Sequence, residues 1–412
     1  MENITLECCR ICKSKKLIKI LDLGEMSLTG VFEVDGKNVP KSKLALIFCE
    51  NCSLVQLDKT YNQNEMFGEM YMYRSAVTQT MKNHFKEVIK IAETWIHSLK
   101  NKNILEIASN DGTLLNMINE QTSNIVAIDP SAKKYIDNYP NETNVYIDFF
   151  DESFLKKYNN HGKYDLIVSL AVFYDIDKPV NFAQTINNIL NDDGIWITEQ
   201  TSSATLIDKK CYDSICHEHL TYFSLETFEK ICELSKLKII DIYRNDINGG
   251  SFTIIISKQT SRHKPNDFNI EKYRKYEENL KLNKLKTWEN FDNYVQDHKN
   301  ELTKLIKKEN KYGKLLGYGA STKGNVILQY LGIEDQDIEF ILERDENKFG
   351  LRTPGSNIPI VSETDGKKLN PSSLLVFPWH FKEEIIQREE AFLKNGGKLI
   401  FPLPFIEEYK LT

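Results

Sequence analysis

The chain has 412 residues, 41% of them hydrophobic and 27% charged, and a formal net charge of -6 at pH 7. That composition is globular, not disordered or fibrous, and the length asks for about two to four compact units instead of one core. The acidic balance argues against a nucleic-acid or anionic-membrane surface, and no run reaches the roughly 18 to 20 apolar residues of a membrane span.

The N-terminus, "MENITLECCRICKSKK", has no apolar signal core, so a cytoplasmic protein is expected. Cys9-x-x-Cys12 and Cys49-x-x-Cys52 stand 36 residues apart. In a reducing compartment such pairs point to metal before disulfide, each supplying half of a tetrahedral zinc shell from one tight turn. Cys8 adjoins the first pair, but Cys9 keeps the two-residue gap. Four sulfur ligands close the shell and leave no position for a substrate or an activated water, so this zinc is expected to be structural. The alternative is four buried or free thiols. Between and around the pairs, "LIKILDLG" and "ALIFCENCSLVQL" read as strands broken by turns.

From Ser75 to Lys100, Val77, Met81, Phe85, Val88, Ile89 and Ile91 recur at helical intervals. Strand-like runs then alternate with helical stretches: "NILEIA", "NIVAID", "NVYID", "YDLIVSLAVF", "GIWITEQ", "LKIIDIYR" and "SFTIIIS". That alternation predicts a parallel sheet covered by helices.

Three of these strands end in polar tips. Glu106 closes "NILEIA" ahead of a turn whose free backbone N–H groups allow close approach of a ligand. Only Gly112 appears there, so the dinucleotide fingerprint G-x-G-x-x-G is absent. Asp129, 23 residues beyond Glu106, stands where a carboxylate accepts from ribose hydroxyls, and Asp148 and Phe149 stand where an adenine ring would lie. Singly, strand-end carboxylates are often helix caps. Together and in order they predict an adenosine-containing ligand.

"CHEHLTYFS", residues 216 to 224, places Glu218 between His217 and His219. The spacing is too short for the H-E-x-x-H of zinc peptidases, whose histidines sit one helical turn apart. On a helix the two would diverge; in an extended segment they would share a face, with Glu218 opposite. Residues 266 to 312 read as a solvated amphipathic connector. A second alternating unit begins at "KLLGYGASTKGNVILQYL" and continues through "IEFILE", "PIVSE", "SLLVFPW" and "KLIFPLP". In "GYGASTKGN", Ser321, Thr322 and Lys323 at a helix start form a candidate pyrophosphate cradle. Asn248-Gly249-Gly250 is first of all a tight turn.

Glu106 with "SNDG" at 109 to 112 and "AIDPS" at 127 to 131 resembles the S-adenosylmethionine site of the C-methyltransferases that act on nucleotide-activated keto-sugars. "CRIC…CENC", the His-Glu-His segment and "GYGASTKGN" follow that family's order over nearly the whole chain. The resemblance implies an α/β protein with a zinc-binding module at 1–70 and a class I methyltransferase, Rossmann-like domain at 71–265. A helical connector at 266–312 would lead to a second Rossmann-like domain at 313–412 that contributes to nucleotide-sugar binding. It implies S-adenosylmethionine held by Glu106, Ser109, Asn110, Asp111, Gly112, Asp129, Pro130, Asp148 and Phe149, with structural zinc on Cys9, Cys12, Cys49 and Cys52.

Methyl transfer to carbon needs a carbanion equivalent, which a neighbouring ketone provides once a base removes the α-proton; histidine suits that base. The resemblance makes His219 the base, with His217 and Glu218 orienting it or polarising the carbonyl, and brings Tyr73 to the active site. Tyr71, Arg74, Tyr174, Asn248, Ser321, Thr322 and Lys323 are its expected substrate contacts. The acceptor would be a dTDP-, GDP- or CDP-linked 4-keto-sugar methylated at C3, handled by a monomer or weak dimer with no nucleic-acid or membrane partner. Two departures stand out: Cys216 replaces a tyrosine that relatives place before His-Glu-His, and "FYDIDKP" puts Tyr174 and Asp175 where relatives often carry histidine. The rival readings are an NAD(P)-dependent nucleotide-sugar oxidoreductase, supported by Gly317-x-Gly319 and Glu343, an O- or N-methyltransferase, and a zinc-containing binding protein without catalysis.

Overall fold

A computed structural model describes residues 4–67, 74, 78–119, 121–122, 124–158 and 162–411. The N-terminal module carries β1 (Ile4–Thr5), β2 (Leu17–Ser27), β3 (Lys41–Cys49), β4 (Val55–Leu57) and β5 (Lys59–Thr60). β2, β3 and β4 form an antiparallel sheet whose far edge is taken by Thr221–Tyr222, with Tyr222 opposite Val55 and Thr221 opposite Gln56. The His-Glu-His segment is therefore tied to the cysteine module by backbone hydrogen bonds.

The helix Gln79–Ile96 starts at Thr78, whose hydroxyl accepts from the Met81 N–H, and buries Met81, Phe85, Val88, Ala92 and Ile96 along one stripe. This is the periodicity read in the sequence, with the first turn beginning four residues later than Ser75. It covers one face of a seven-stranded sheet built from β6 (Ile104–Ile107), β7 (Ile125–Ile128), β8 (Asn144–Tyr146), β9 (Tyr164–Leu170), β10 (Leu190–Gln200), β12 (Leu237–Asn245) and β13 (Ser251–Lys258); Thr221–Tyr222 is β11. The order is β12-β13-β10-β9-β6-β7-β8, parallel except for β13, which runs antiparallel to both neighbours. Helices on both faces explain why β6 and β7 are buried at every position and read as unbroken apolar runs, Glu106 excepted.

Helices Asp267–Leu280 and Leu285–Tyr312 lead to a second sheet of β14 (Leu315–Tyr318), β15 (Ile341–Glu343), β16 (Ile360–Ser362), β17 (Ser373–Val376), β18 (Lys398–Phe401) and β19 (Glu407–Tyr409). Its order is β16-β15-β14-β17-β18-β19, with only β19 antiparallel. In such sheets ligands sit beyond the carboxyl ends of the strands where the order reverses, here at β6/β9 and at β14/β17.

The N-terminal module ties the two large units together. Arg10, 2% exposed, donates to the Leu57 and Lys59 carbonyls and to Thr60 within the module, and to Asp177 of the central unit at 3.2 Å. On the other side the Gln329 amide bonds both the N–H and the carbonyl of Ser27, and Asn325 donates to the Thr29 carbonyl at 2.8 Å.

Candidate active site

The two Cys-x-x-Cys turns have the same backbone. In each, the first cysteine carbonyl accepts from the residue four positions on, Lys13 at 3.1 Å or Ser53 at 2.8 Å, and that residue is left-handed with φ near 60°. The turns face each other so that the four sulfurs lie within 4.8 Å of one another, Cys9 to Cys52 at 3.6 Å and Cys12 to Cys49 at 3.5 Å. A tetrahedral zinc with Zn–S bonds near 2.3 Å requires S···S distances of about 3.8 Å, so the set fits that ion. The thiol set also fits electrically: Cys9 is pushed down to about 5, first by its hydrogen bond with Cys52, while Cys52 is pushed up by the same contact.

The strand ends of the two large sheets open into one cleft of about 400 Å³, to which the N-terminal module contributes Gly30, Phe32, Gln63 and Phe67. At its methyltransferase end the chain leaves β6 through left-handed turns at Ala108, Asn110 and Gly112, with φ of 59°, 49° and 71°. A Cβ on Gly112 would meet the Tyr139 ring at 3.1 Å, so only glycine fits there. Tyr139 fixes the turn from below, its hydroxyl within 2.8 Å of both the Ser109 hydroxyl and the Asn110 carbonyl.

Glu106, Ser109, Asn110, Asp111, Asp129, Pro130 and Phe149 line this end, whereas Asp148 does not: its carboxylate turns to Lys157 at 2.8 Å and the Tyr158 hydroxyl at 2.9 Å. Asp129 accepts from the Asn110 N–H at 2.9 Å and from the N–H and hydroxyl of Ser131 at 2.6 Å, which fixes its carboxylate at the tip of β7 facing the cleft. Glu106 is 6% exposed and its Oε2 has no partner among the described residues; burial first, then Asp111 and Asp129, raise its carboxyl well above the usual range. A buried acceptor left over at the end of β6 fits a cofactor that brings its own donors or positive charge. These residues suit S-adenosylmethionine.

The His-Glu-His segment is neither helix nor strand. The His219 N–H closes a turn onto the Cys216 carbonyl at 3.2 Å, which swings Glu218 and His219 into the cleft together and turns His217 away. Of the two geometries the spacing left open, the histidines diverge, as they would on a helix, although the segment is a turn. His217 instead lies within the cysteine module, its Nε2 on the Ser42 carbonyl at 3.2 Å and its ring edge-on to Tyr61 at 4.8 Å.

His219 Nδ1 is 2.7 Å from the Ser214 carbonyl. A carbonyl only accepts, so Nδ1 carries the hydrogen and Nε2 keeps its lone pair. Burial lowers His219 to about 3, with Lys323 adding to the effect, so the ring is a neutral base. Tyr174 packs on it, ring centres 3.9 Å apart. Glu218, 4% exposed, accepts from the Thr29 hydroxyl at 3.3 Å, and a Cβ on Gly30 would lie 2.5 Å from its Oε1.

At the opposite end Ser321, Thr322 and Lys323 line the cleft as the first turn of the helix Thr322–Leu331, with the Ser321 hydroxyl capping the Gly324 N–H at 3.1 Å. The Lys323 ammonium is bonded to the carbonyl of Asn248, itself a left-handed residue with φ of 55° in the cleft wall. Arg74 lines the cleft but reaches the cofactor end, where its Nε meets Asp111 at 3.3 Å and its guanidinium lies over Tyr135. Tyr71 and Tyr73 lie outside the described residues.

Residues not foreseen also face this space. His380 lines it beside Lys323 with a buried Nδ1 that has no partner among the described residues. Glu199 closes β10 with His84 on one oxygen at 2.8 Å and Asn245 and Thr253 on the other. "GIWITEQ" ends in a carboxylate as "NILEIA" does, so the same strand-end rule finds Glu199; nothing in "FPWHF" distinguishes His380.

A seven-stranded sheet in the order above, with a strand-end carboxylate and a left-handed turn after β6, defines an S-adenosylmethionine-dependent methyltransferase. Three family models match in chain order: a zinc binding domain at residues 9–67, a methyltransferase domain at 81–242 and the C-methyltransferase C-terminal domain at 246–404. The chain belongs to the C-methyltransferases that combine these three domains. It is 25% identical to the C-methyltransferase NovU of Streptomyces niveus over 96% of this chain and 95% of that protein. Among solved structures it is similar to magnesium protoporphyrin IX methyltransferase from Synechocystis PCC 6803 with bound S-adenosylhomocysteine, at 12% identity, 45% of this chain, 90% of that one and TM-score 0.35. It is also similar to N-methyltransferase NodS from Bradyrhizobium japonicum WM9, at 12% identity, 45% and 91% coverage and TM-score 0.35. No helix among the described residues is long and apolar enough to cross a membrane.

Proposed function

We propose that this C-methyltransferase acts on a nucleotide-linked 4-keto-sugar, methylating the ring carbon beside the ketone, C3, through an enolate formed by His219. The observation that carries this reading is the His219 imidazole: neutral, with Nδ1–H held by the Ser214 carbonyl and Nε2 free in the cleft between the two sheets. When bound, S-adenosylmethionine supplies an electrophilic methyl group on a sulfonium. His219 takes the α-hydrogen as a proton, the Ser214 carbonyl and Tyr174 hold the ring, and the Tyr174 face excludes water from one side of it, with Glu218 beside them in the cleft. Glu106, the Ser109–Gly112 turn, Asp129, Pro130 and Phe149 bind the cofactor; Asn248, Ser321, Thr322 and Lys323 bind the nucleotide-sugar, with Lys323 placed for a pyrophosphate.

The NAD(P) reading is weakened at its key residue. Glu343, the acceptor it needs, already takes the Ala320, Arg344 and Asp345 N–H groups of its own loops. The test is to incubate the protein with S-adenosylmethionine and a panel of dTDP-, GDP- and CDP-linked 4-keto-sugars and to follow mass and α-hydrogen exchange in deuterated water. A gain of one methylene with exchange at the methylated carbon supports the reading; a gain with no exchange indicates an oxygen or nitrogen acceptor.

A further inference from the structure

Asp175 ends the turn after β9, between the Tyr174 ring that packs on His219 and the cleft it lines itself. It is 7% exposed, and its Oδ1 is buried without a hydrogen-bond partner among the described residues. The charge nearest to it in effect is another carboxylate, Glu218. Among the described residues the other titratable groups around the pair are the Cys216 thiol, the Tyr222 phenol and the His219 imidazole, all kept neutral by burial. Among the described residues no cation acts on either carboxyl; two such buried carboxyls do not both ionise at neutral pH, and one proton stays in the pair.

Hydrogen bonding decides which carboxyl keeps it. Glu218 is served as an anion by the Thr29 hydroxyl, the Gly30 N–H and the Cys216 thiol. Asp175 Oδ1 has no donor of this kind among the described residues. The anion belongs on Glu218 and the proton on Asp175, which then presents an O–H into the cleft one residue from the ring that positions His219.

The geometry points to Asp175 as the acid that meets the substrate's carbonyl oxygen, a further catalytic residue that rests on the keto-sugar reading above. In the first step His219 Nε2 takes the α-proton, the C–H pair becomes the new C=C bond, and the carbonyl π pair moves onto oxygen, which accepts the Asp175 proton. The enol then returns that proton to the Asp175 carboxylate as its carbon captures the methyl group and the sulfur keeps the broken bond's electron pair. Asp175 finishes as it began, and the one proton released leaves from His219. A buried acid next to an anionic neighbour gives a donor whose proton is available when negative charge develops on oxygen.

The test compares Asp175→Asn and Asp175→Ala with the wild type in two measurements. The first is the infrared difference spectrum of wild type minus Asp175→Asn at neutral pH, with aspartate carboxyls carbon-13 labelled; a protonated carboxyl band is expected, and its absence overturns the assignment whatever the sugars do. The second is α-hydrogen exchange and methyl transfer with whichever 4-keto-sugar of the panel the wild type accepts. Asp175→Ala is expected to lose roughly 10²- to 10³-fold in both, as when an oxyanion donor is removed. Asp175→Asn, which still donates through its amide, is expected to retain more, and S-adenosylhomocysteine binding is expected to stay unchanged in each. Wild-type rates in Asp175→Ala overturn the role of the acid while leaving His219 as base. A band in the wild type with no exchange from any sugar overturns the keto-sugar reading, and the acid's role with it.

Discussion

His219 is oriented by Ser214: its Nδ1–H donates to that carbonyl at 2.7 Å, and the Tyr222 hydroxyl donates to the same oxygen at 3.1 Å. The base is thus fixed in one tautomer by backbone, not by a carboxylate that could share its proton. His219→Gln keeps a side-chain amide near that carbonyl but has no basic nitrogen. We expect α-hydrogen exchange and methyl transfer to fall by roughly 10²- to 10⁴-fold, the usual reach of a general base, with S-adenosylhomocysteine affinity unchanged by calorimetry. Retained exchange in this variant removes His219 from the mechanism.

The preceding residue links that carbonyl to the other sheet. Asp213 is fully buried; its carboxylate accepts from the Trp379 indole N–H at 2.7 Å and is also served by the Asp213 and Ser214 backbone N–H groups. Trp379→Phe keeps the packing and deletes the indole donor, leaving the buried carboxyl to backbone N–H groups alone. About 1 to 3 kcal/mol of stability should be lost by urea unfolding, and catalytic rate should fall more than substrate affinity because the Ser214 carbonyl is no longer held. Unchanged stability and rate dispose of the link.

The cysteine cluster predicts a single zinc ion per chain, released by chelation together with loss of fold. Because β4 pairs with β11, two residues past His219, the metal supports the cleft without touching substrate. Cys12→Ser should give metal-free protein with a lowered melting temperature and parallel loss of activity. Metal-free protein that melts as the wild type does excludes a structural role.

Much of this was legible in the sequence, and the reasons are physical. The order of strands and helices was carried by apolar periodicity because both sheets are buried on two faces, and the zinc ligands by spacing because each Cys-x-x-Cys closes within its own turn. The strand ends that line the cofactor pocket were readable because chain direction in a parallel sheet brings them to one edge. What spacing could not reveal was orientation. His217 and His219 were separated by one hydrogen bond, His219 N–H to the Cys216 carbonyl, which makes a turn where the spacing left helix and extended segment open. Asp148 carries a strand-end signal like that of Glu106, yet Lys157 and Tyr158, nine and ten residues further on, draw its carboxylate aside. The pairing of Asp175 with Glu218 joins segments more than 40 residues apart and depends on how β9 and β11 meet.

Glu106 combines a fold cost with a binding role. Its unpartnered Oε2 lies near two further carboxylates, Asp111 and Asp129, so the apo protein holds it against like charge. Glu106→Gln relieves that repulsion and supplies a donor toward those neighbours. The apo melting temperature should hold or rise, while S-adenosylhomocysteine affinity drops by roughly tenfold or more, the effect of losing a charge-assisted contact. A variant that binds as tightly as the wild type takes Glu106 out of the cofactor site.

His217 offers a test of the tie between the cysteine module and the cleft through acid stability. It is fully buried, and burial lowers it to about 4 from an ordinary 6.5, the Ser42 carbonyl opposing only in part. As pH falls, the unfolded chain takes up this proton near 6.5 while the folded chain holds out until about 4. The unfolded state therefore binds more protons throughout that window, and stability must fall as pH drops across it, by up to about 3 kcal/mol. His217→Asn has no such group, and the other buried histidines are common to both proteins, so their effects cancel in the comparison. Measured by urea midpoints from pH 7.5 down to 4.5, the variant should begin less stable than the wild type, for want of the ring against Tyr61, and the gap should narrow steadily with acid. Parallel curves would mean that His217 is accessible enough to protonate in the folded chain, and that the seam between module and cleft is looser than its 3.2 Å contact to Ser42 implies.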